Sequence, residues 1–253
     1  MEFVKTVLLE KMSSPQIKCA LAAGYKTVII AAGATEQHGP HLPTGTDSML
    51  GCVYAEKLAT ELGNALVAPV IPVGLSKAFM AFPGSLTFRA STLIAVIEDY
   101  ISGYIQHGFQ TIILLPAHVG NFHLLENFAN TAIQKYPGTK IICCFNHELM
   151  QTLGEQSYRE DGVPANIAGT HAGEAETSLM LAFYSELVDM SLAEEGFVGD
   201  FTAVRGKMLD EGVQTLCENG ILGDARPANA ERGKKIIGRM TKAFADIVYK
   251  KNE

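Results

Sequence analysis

Short runs of consecutive apolar residues alternate with longer amphipathic segments along the chain. Unbroken apolar runs are typical of buried parallel strands, and they predict strands over 27–30, 66–71, 111–115 and 140–145. Apolar spacings of three and four, bounded by capping residues and glycines, predict helices over 14–23, 47–62, 91–108, 121–135 and 228–250, with another starting near Gly173. Strands that alternate with helices predict an α/β fold with a mainly parallel sheet covered on both faces.

The composition is that of a folded protein. Of the 253 residues, 47% are hydrophobic and 19% are charged, which excludes a disordered or coiled-coil chain. We find no repeat, low-complexity tract or linker, so a single domain over 1–253 is predicted. The 27 acidic residues outnumber the 20 basic ones and give a net charge of −7, so nucleic-acid binding is not expected.

The sequence shows neither a membrane span nor a secretion signal. No apolar run approaches the roughly 20 residues that cross a bilayer, and the first residues lack a basic segment followed by an apolar stretch and a cleavage site. The five cysteines include no C-x-x-C spacing, so we expect free thiols in a reducing compartment. A cytoplasmic protein without a membrane partner is therefore predicted.

The loop after the first predicted strand carries chemically active side chains. It contains Glu36, His38, His41 and Asp47, and its glycines and prolines forbid a continuous helix or strand. Glu36 and His38 are two residues apart and therefore project to the same side of an extended backbone. Asp47 lies at the start of the next helix, where a carboxylate also acts as a simple cap. A capped loop with solvated histidines remains an alternative interpretation of this segment.

Two further clusters follow later elements. His118 comes directly after the strand 111–115, at the edge where parallel sheets bind ligands, although a hydrogen-bonded structural histidine is an alternative. His171 precedes Glu174 and Glu176 at a glycine-marked helix start, and either glutamate can instead be an ordinary partner of the helix dipole. A mixed set of carboxylates and imidazoles suits zinc, manganese or iron, while the absence of cysteine argues against a structural zinc site.

Charge arithmetic favours two metal ions over one. Glu36, Asp47 and Glu176 bring three negative charges, and two divalent ions bring four positive ones. A hydroxide and a shared aspartate would leave such a site close to neutral. Two ions about 3.5–4 Å apart that share a carboxylate and a water are typical of hydrolytic enzymes.

These motifs resemble those of the creatininase family of creatinine amidohydrolases and related formamide hydrolases. The most specific stretches are Gly-Ala-Thr-Glu-Gln-His-Gly-Pro-His-Leu-Pro at 33–43 with Gly-Thr-Asp at 45–47, and His-Ala-Gly-Glu-Ala-Glu-Thr-Ser at 171–178. Supporting stretches are Phe-Pro-Gly-Ser at 82–85, His-Val-Gly-Asn at 118–121 and Gly-Asp-Ala at 223–225. They occur in the family's order over most of the chain.

The resemblance implies a three-layer α/β/α fold, a dinuclear metal centre and a homo-oligomer, commonly a hexamer. Carried over by position, it implies that Glu36, Asp47 and His118 bind one ion. His38, the shared Asp47 and a further carboxylate would then bind the second ion.

The identity of that further carboxylate depends on a departure from creatininase itself. Creatininase supplies it two residues after the histidine that matches His118, where this chain has Gly120. Family members with glycine there use the glutamate of the Glu-Thr-Ser triplet, so Glu176 is preferred over Glu174. His171 matches the histidine that carries protons to the leaving group, a role that its ordinary pKa suits.

The predicted substrate pocket differs from that of creatininase. The chain has no tryptophan, whereas creatininase closes its site over a flat substrate with tryptophans. Many members have Glu-His after the serine that matches Ser76, where this chain has Lys-Ala. Many also have Asn-Gly before the histidine that matches His118, where this chain has Pro-Ala. Creatinine itself is therefore not expected as the substrate. The candidate substrate-binding residues are Ser76, Lys77, His41 and Gly120.

The sequence thus predicts a metal-dependent hydrolase of a small cyclic amide or another C–N bond. Two divalent ions, zinc and/or manganese with iron as a further option, would activate a hydroxide that attacks the carbonyl, and His171 would protonate the departing group. One alternative is hydrolytic opening of a cyclic diketone such as an oxidised inositol. Another is an inactive metal-binding scaffold, but a scaffold could lose His171 without penalty, so its presence favours an active enzyme.

Overall fold

A parallel sheet forms the centre of the protein. The structure is a computed structural model that describes residues 5–145, 149, 152, 156 and 159–251. The strands in the described part are β1 (Thr27–Ala32), β2 (Ala65–Val67), β3 (Thr111–Pro116) and β4 (Lys140–Cys143). They all pair in parallel, in the order β2-β1-β3-β4. Every residue of β1 is buried, as expected for a strand with both faces covered.

The two central strands end at the same level. Thr27 pairs with Thr111, and Ala32 pairs with Pro116. The loops that begin after β1 and β3 therefore leave the same edge of the sheet. This is the carboxyl edge, where parallel α/β sheets bind their ligands.

Helices flank the sheet and confirm the predicted three-layer α/β/α fold. The described helices of four or more residues are α1 (Ser14–Ala22), α2 (Thr46–Leu62), α3 (Ala90–Gln106), α4 (Phe122–Ala132), α5 (Ala165–Ala168), α6 (Glu174–Phe183), α7 (Phe201–Glu211) and α8 (Ala230–Lys250). Helix α2 connects β1 to β2 and packs on both strands. Helix α3 connects β2 to β3, and its Leu93, Ile97 and Ile101 are fully buried. The long helix α8 packs against α2 and α6. None of the helices in the described part is long and apolar enough to span a membrane.

Some predicted boundaries were wrong. The strand predicted at 66–71 is limited to β2, because Pro69 lacks the N–H that a strand ladder needs, and Ile71 forms only an isolated bridge with Ala32. Helix α4 ends at Ala132 instead of 135, and β4 ends at Cys143 instead of 145. Helix α7 was not predicted, because Met208 is its one buried residue and its sequence therefore shows no apolar stripe.

Candidate metal centre

The side chain of Asn121 joins three loops at the carboxyl edge of the sheet. It is fully buried, and its Nδ2 donates to the carbonyls of Ala32 and Gly33 at 3.1 and 3.0 Å. Its Oδ1 accepts the N–H of Leu75 at 3.1 Å. A Cβ at Gly74 would lie 2.6 Å from the carbonyl oxygen of Gly33, so only glycine allows these loops to approach so closely.

The five predicted metal ligands lie together at this edge. Among the described residues, three groups have nitrogen and carboxylate oxygen atoms that all lie within 4.8 Å of one another. These groups are Glu36 with Asp47 and His118, His38 with Asp47 and Glu176, and Glu36 with His38 and His171. Asp47 belongs to both of the first two groups. Glu36, His38 and Asp47 are buried, whereas the side chain of Glu176 is 24% exposed, so the cluster opens to solvent on the Glu176 side.

His38 directs its second ring nitrogen at the carboxylates. Its Nδ1 lies 3.0 Å from the carbonyl oxygen of Glu36. A carbonyl can only accept a hydrogen bond, so Nδ1 carries the proton. The Nε2 of His38 then faces Asp47 Oδ1 at 3.4 Å and Glu176 Oε2 at 3.8 Å.

His118 has the same arrangement with its ring nitrogens exchanged. Its Nε2 donates to the carbonyl of Leu75 at 3.1 Å. Its Nδ1 faces Asp47 Oδ2 at 3.0 Å and Glu36 Oε1 at 3.3 Å. Histidines that bind metals ordinarily donate their second ring N–H to a carbonyl or carboxylate in this way.

The carboxylates of the cluster are stabilised by nearby positive charge. Burial raises the pKa of the Glu36 carboxyl to about 7. Burial alone would lower the pKa of both histidines, but the neighbouring carboxylates outweigh it and raise His38 to about 10 and His118 to about 9. The pKa of Asp47 is held below its ordinary value, because the two histidines outweigh the effect of burial. Protons on the imidazoles therefore supply the positive charge that the carboxylates need when no cation is bound.

His171 is held as a neutral ring between two other rings. Its ring centroid lies 4.2 Å from that of His38 and 4.3 Å from that of Phe79. Its Nε2 lies 2.7 Å from the backbone carbonyl oxygen of Gln37 and 3.0 Å from the side-chain Nε2 of the same residue. The shorter contact, with an oxygen that can only accept, favours a proton on Nε2 and a lone pair on Nδ1, which faces Glu36 Oε1 at 3.3 Å. Burial lowers the pKa of His171 well below its ordinary value.

The two glutamates at the start of α6 point in opposite directions. Two residues correspond to about 200° around a helix. Glu176 Oε2 points toward His38 and accepts the N–H of Ala172 at 2.5 Å. Glu174 is fully buried on the other side, where its Oε1 lies 2.6 Å from Nε of Arg232. The geometry therefore brings Glu176 to the histidines and leaves Glu174 away from them, and the assignment of Glu176 as a ligand stays a prediction.

The four predicted substrate-binding residues have different surroundings. Ser76 is buried beside the carboxylate of Glu36. His41 is buried as well, with its Nε2 2.9 Å from Oγ1 of Thr177. Lys77 and Gly120 are exposed. The substrate-binding roles of all four stay predictions.

Two residues that contact the cluster were not predicted from the sequence. Gln37 donates from Nε2 to the carbonyl of Gly220 at 2.9 Å, and its backbone carbonyl holds His171. The available signal was its position between Glu36 and His38. In an extended loop its side chain faces the side opposite to theirs, while its backbone stays beside the ligands. Phe79 ends a short 3-10 turn that starts at Lys77. The sequence did not predict this turn, so the contact of Phe79 with His171 was not predicted either.

Comparisons with known proteins identify the family. A family model described as creatinine amidohydrolase matches residues 10–248. The chain is 29% identical to the mycofactocin precursor peptide peptidase of Mycolicibacterium smegmatis, over 87% of this chain and 83% of that protein. It is 26% identical to the creatinine amidohydrolase of Pseudomonas putida, over 96% of each. It is also 29% identical to the 3-dehydro-scyllo-inosose hydrolase of Thermotoga maritima, over 98% of this chain and 86% of that protein.

Solved structures share the fold. A creatininase variant described as the Zn-Zn type aligns with a TM-score of 0.78 and 24% identity over 98% of both chains. Manganese creatininase aligns with a TM-score of 0.77 and 23% identity, over 97% of this chain and 98% of that one. The named relatives are hydrolases, and this chain is a hydrolase as well. The match of the family model over nearly the whole chain shows that this protein belongs to the creatininase family.

Proposed function

We propose that this hydrolase holds two divalent metal ions at the carboxyl edge of its sheet and cleaves the C–N bond of a small amide. Glu36, Asp47 and His118 would hold one ion, and His38, Asp47 and Glu176 the other. Zinc and manganese are the preferred ions, because the donor set of imidazoles and carboxylates suits both.

The observation that carries this proposal is the orientation of the ligand atoms. His38 Nε2 and Asp47 Oδ2 are buried without a hydrogen-bond partner among the described residues, and so are both carboxylate oxygens of Glu36. Buried polar atoms without partners are costly. The facing atoms lie 3.0–3.4 Å apart, and a cation between them would supply the positive charge that protons on the imidazoles supply without it.

Asp47 and its neighbours prepare the site for attack on a carbonyl. When bound, two divalent ions that share a carboxylate lower the pKa of a water and polarise a substrate carbonyl. Asp47 offers one oxygen to each group of ligands and so fixes the distance between them. The carbonyls of Glu36 and Leu75 fix the tautomers of His38 and His118.

His171 is suited to move a proton at its Nδ1. The carbonyl of Gln37 holds the other ring nitrogen in its protonated form, and the rings of His38 and Phe79 prevent the imidazole from tilting. Its depressed pKa keeps Nδ1 free to accept a proton from the attacking water. The same atom then returns this proton to the departing amine.

The amide class is supported by two relatives whose names describe C–N bond hydrolysis. They are the peptidase of Mycolicibacterium smegmatis and the creatinine amidohydrolase of Pseudomonas putida. Creatinine itself is not proposed, because this chain has no tryptophan to close over it.

A C–C bond hydrolase is the second candidate. The observation that favours it is the 29% identity to the inosose hydrolase of Thermotoga maritima over 98% of this chain. The same centre would then polarise a ring ketone, and His171 would protonate a carbon leaving group.

The experiment removes metal from the purified protein with a chelator and restores it with zinc or manganese. We expect about two ions per chain by mass spectrometry of the metals. The reloaded protein is then given lactams, N-formyl compounds, short peptides and cyclic diketones in parallel. Release of an amine from one amide class, lost on chelation and regained on reloading, is the expected result.

Two outcomes contradict the proposal in different ways. Metal content below about half an ion per chain, with no rescue by either metal, contradicts the dinuclear centre. Turnover of a diketone without turnover of any amide contradicts the C–N assignment and supports the second candidate. The hexamer that the family resemblance implies stays a prediction, which sedimentation velocity would test.

A further inference from the structure

A buried ion pair lies directly behind the helix that carries Glu176. Glu174 is 0% exposed and Arg232 is 6% exposed. The Oε1 of Glu174 accepts hydrogen bonds from Nε of Arg232 at 2.6 Å and from Oγ of Ser178 at 2.7 Å. Nη1 of Arg232 also donates to Asp161 Oδ2 at 2.6 Å. The guanidinium therefore lies between two carboxylates, away from the predicted metal ligands.

The pair sits where α6 and α8 cross at very short range. Oγ of Ser178 accepts the N–H of Asn229 at 3.0 Å. A Cβ at Gly233 would overlap the carbonyl group of Ser178, so the backbones touch there. Rotation of either helix about its axis would break this contact and the ion pair together.

Glu174 and Glu176 share the first turn of α6, so they move together. The side chain of Glu176 has one described hydrogen bond of its own, from the N–H of Ala172. It is partly exposed and lies 3.8 Å from His38 Nε2, so little else fixes its direction. On its opposite face, the ion pair holds the first turn, and the contact of Gly233 with Ser178 holds the turn that follows.

We propose that Arg232 is a positioning residue for the metal centre, which acts through Glu174 to hold the carboxylate of Glu176 against His38 and Asp47. This inference rests on the proposed function, because it requires Glu176 to be a metal ligand. It gives the last helix a part in metal binding, although none of its residues belongs to the ligand cluster. Partners that orient metal ligands typically change metal affinity by 10–100-fold when they are removed.

The test measures manganese binding to the metal-free full chain by titration calorimetry. In Arg232→Gln and in Glu174→Gln, the affinity of one of the two ions should fall by about 10–100-fold while the other ion binds as before. Arg232→Lys keeps the positive charge and should recover part of the affinity. Phe244→Leu is the control for lost stability, since Phe244 is a buried residue of the same helix without a role in the ion pair.

Each outcome decides the question. Unchanged affinity for both ions in folded Glu174→Gln overturns the positioning role, and this isosteric variant carries the test if Arg232→Gln does not fold. An equal loss of affinity in Phe244→Leu also overturns it, because the effect would then follow from stability alone. Glu176→Gln separates this inference from the proposed function. If that variant still binds both ions, the ligand assignment fails; if it loses one ion while Arg232→Gln loses none, only the positioning role fails.

Discussion

Asp47 Oδ2 lies 3.0 Å from Nδ1 of His118, while its second oxygen, Oδ1, lies 3.4 Å from Nε2 of His38. One carboxylate thus presents a separate oxygen to each of two histidines. The two histidines belong to different ligand groups. Asp47 is therefore the residue whose loss should affect both groups at once.

Substitution of the ligands should remove metal in a fixed pattern. We expect Asp47→Asn to lose both ions, and His118→Asn and His38→Asn to lose one each, because in the proposed centre each of these histidines binds one ion. Metal content per chain after gel filtration measures this, with His107→Asn, at an exposed helix end, as the control. Loss of a single ion in Asp47→Asn would argue against a shared carboxylate.

His171→Asn should separate chemistry from metal binding. Loss of a general acid–base group typically lowers turnover by about 10²–10⁴-fold, and we expect kcat to fall in that range while both ions remain. Steady-state kinetics and metal content of the same preparation provide the measurement. If the variant also loses an ion, His171 is a ligand of the Glu36–His38–His171 group instead of a proton carrier.

Gly120→Ala should damage the centre without removing any ligand. A Cβ at residue 120 would lie 2.5 Å from the carbonyl oxygen of Leu75 and closer still to Nε2 of His118. It would therefore displace the hydrogen bond that fixes the His118 ring, and we expect metal affinity to fall about 10-fold or more. Gly103→Ala is the matched control, since nothing lies within 4 Å of its added Cβ. It should bind metal normally and raise the free energy of unfolding by about 0.5–1 kcal/mol. Equal metal binding by both variants would contradict the crowding at Gly120.

His41 should make the metal-free protein less stable in acid. Burial, with a smaller effect of His38, lowers its pKa in the folded chain to about 4, against an ordinary value of 6.5. Between these values the unfolded chain binds the proton and the folded chain does not, so stability falls as pH decreases from 6.5 to 4. The neutral form of His41 contributes at most about 3 kcal/mol to the free energy of unfolding, and this contribution is present in full above pH 6.5. Urea unfolding of the wild type and His41→Gln in the presence of a chelator should diverge over this range, and parallel curves would exclude His41 as the cause.

The order of strands and helices was predictable because each element repeats a local pattern. The buried run at 111–115 and the periodic apolar residues of the last helix needed no tertiary information. The polar residues after β1 and β3 were predictable as one cluster for a related reason. Parallel strands that start in register bring their carboxyl ends to one edge.

Contacts between distant residues could not be predicted in this way. Glu174 and Arg232 are 58 residues apart, and neither local pattern contains information about the other. From the sequence, Glu174 was predicted to be either a metal ligand or a partner of the helix dipole. In the structure it forms a buried ion pair with Arg232. Lys77 is exposed because of the short turn that it begins. That turn has three residues without a distinctive pattern, so the sequence does not predict it.

The contact between Gly233 and Ser178 bears on how the protein is made. All five proposed ligands lie between residues 36 and 176, so a ribosome has polymerised every one of them well before it reaches Gly233. Until α8 emerges, α6 lacks the helix against which most of its buried face packs, and we expect the nascent chain to capture metal only weakly. Occupancy of the centre in a cell would then report that synthesis has passed α8.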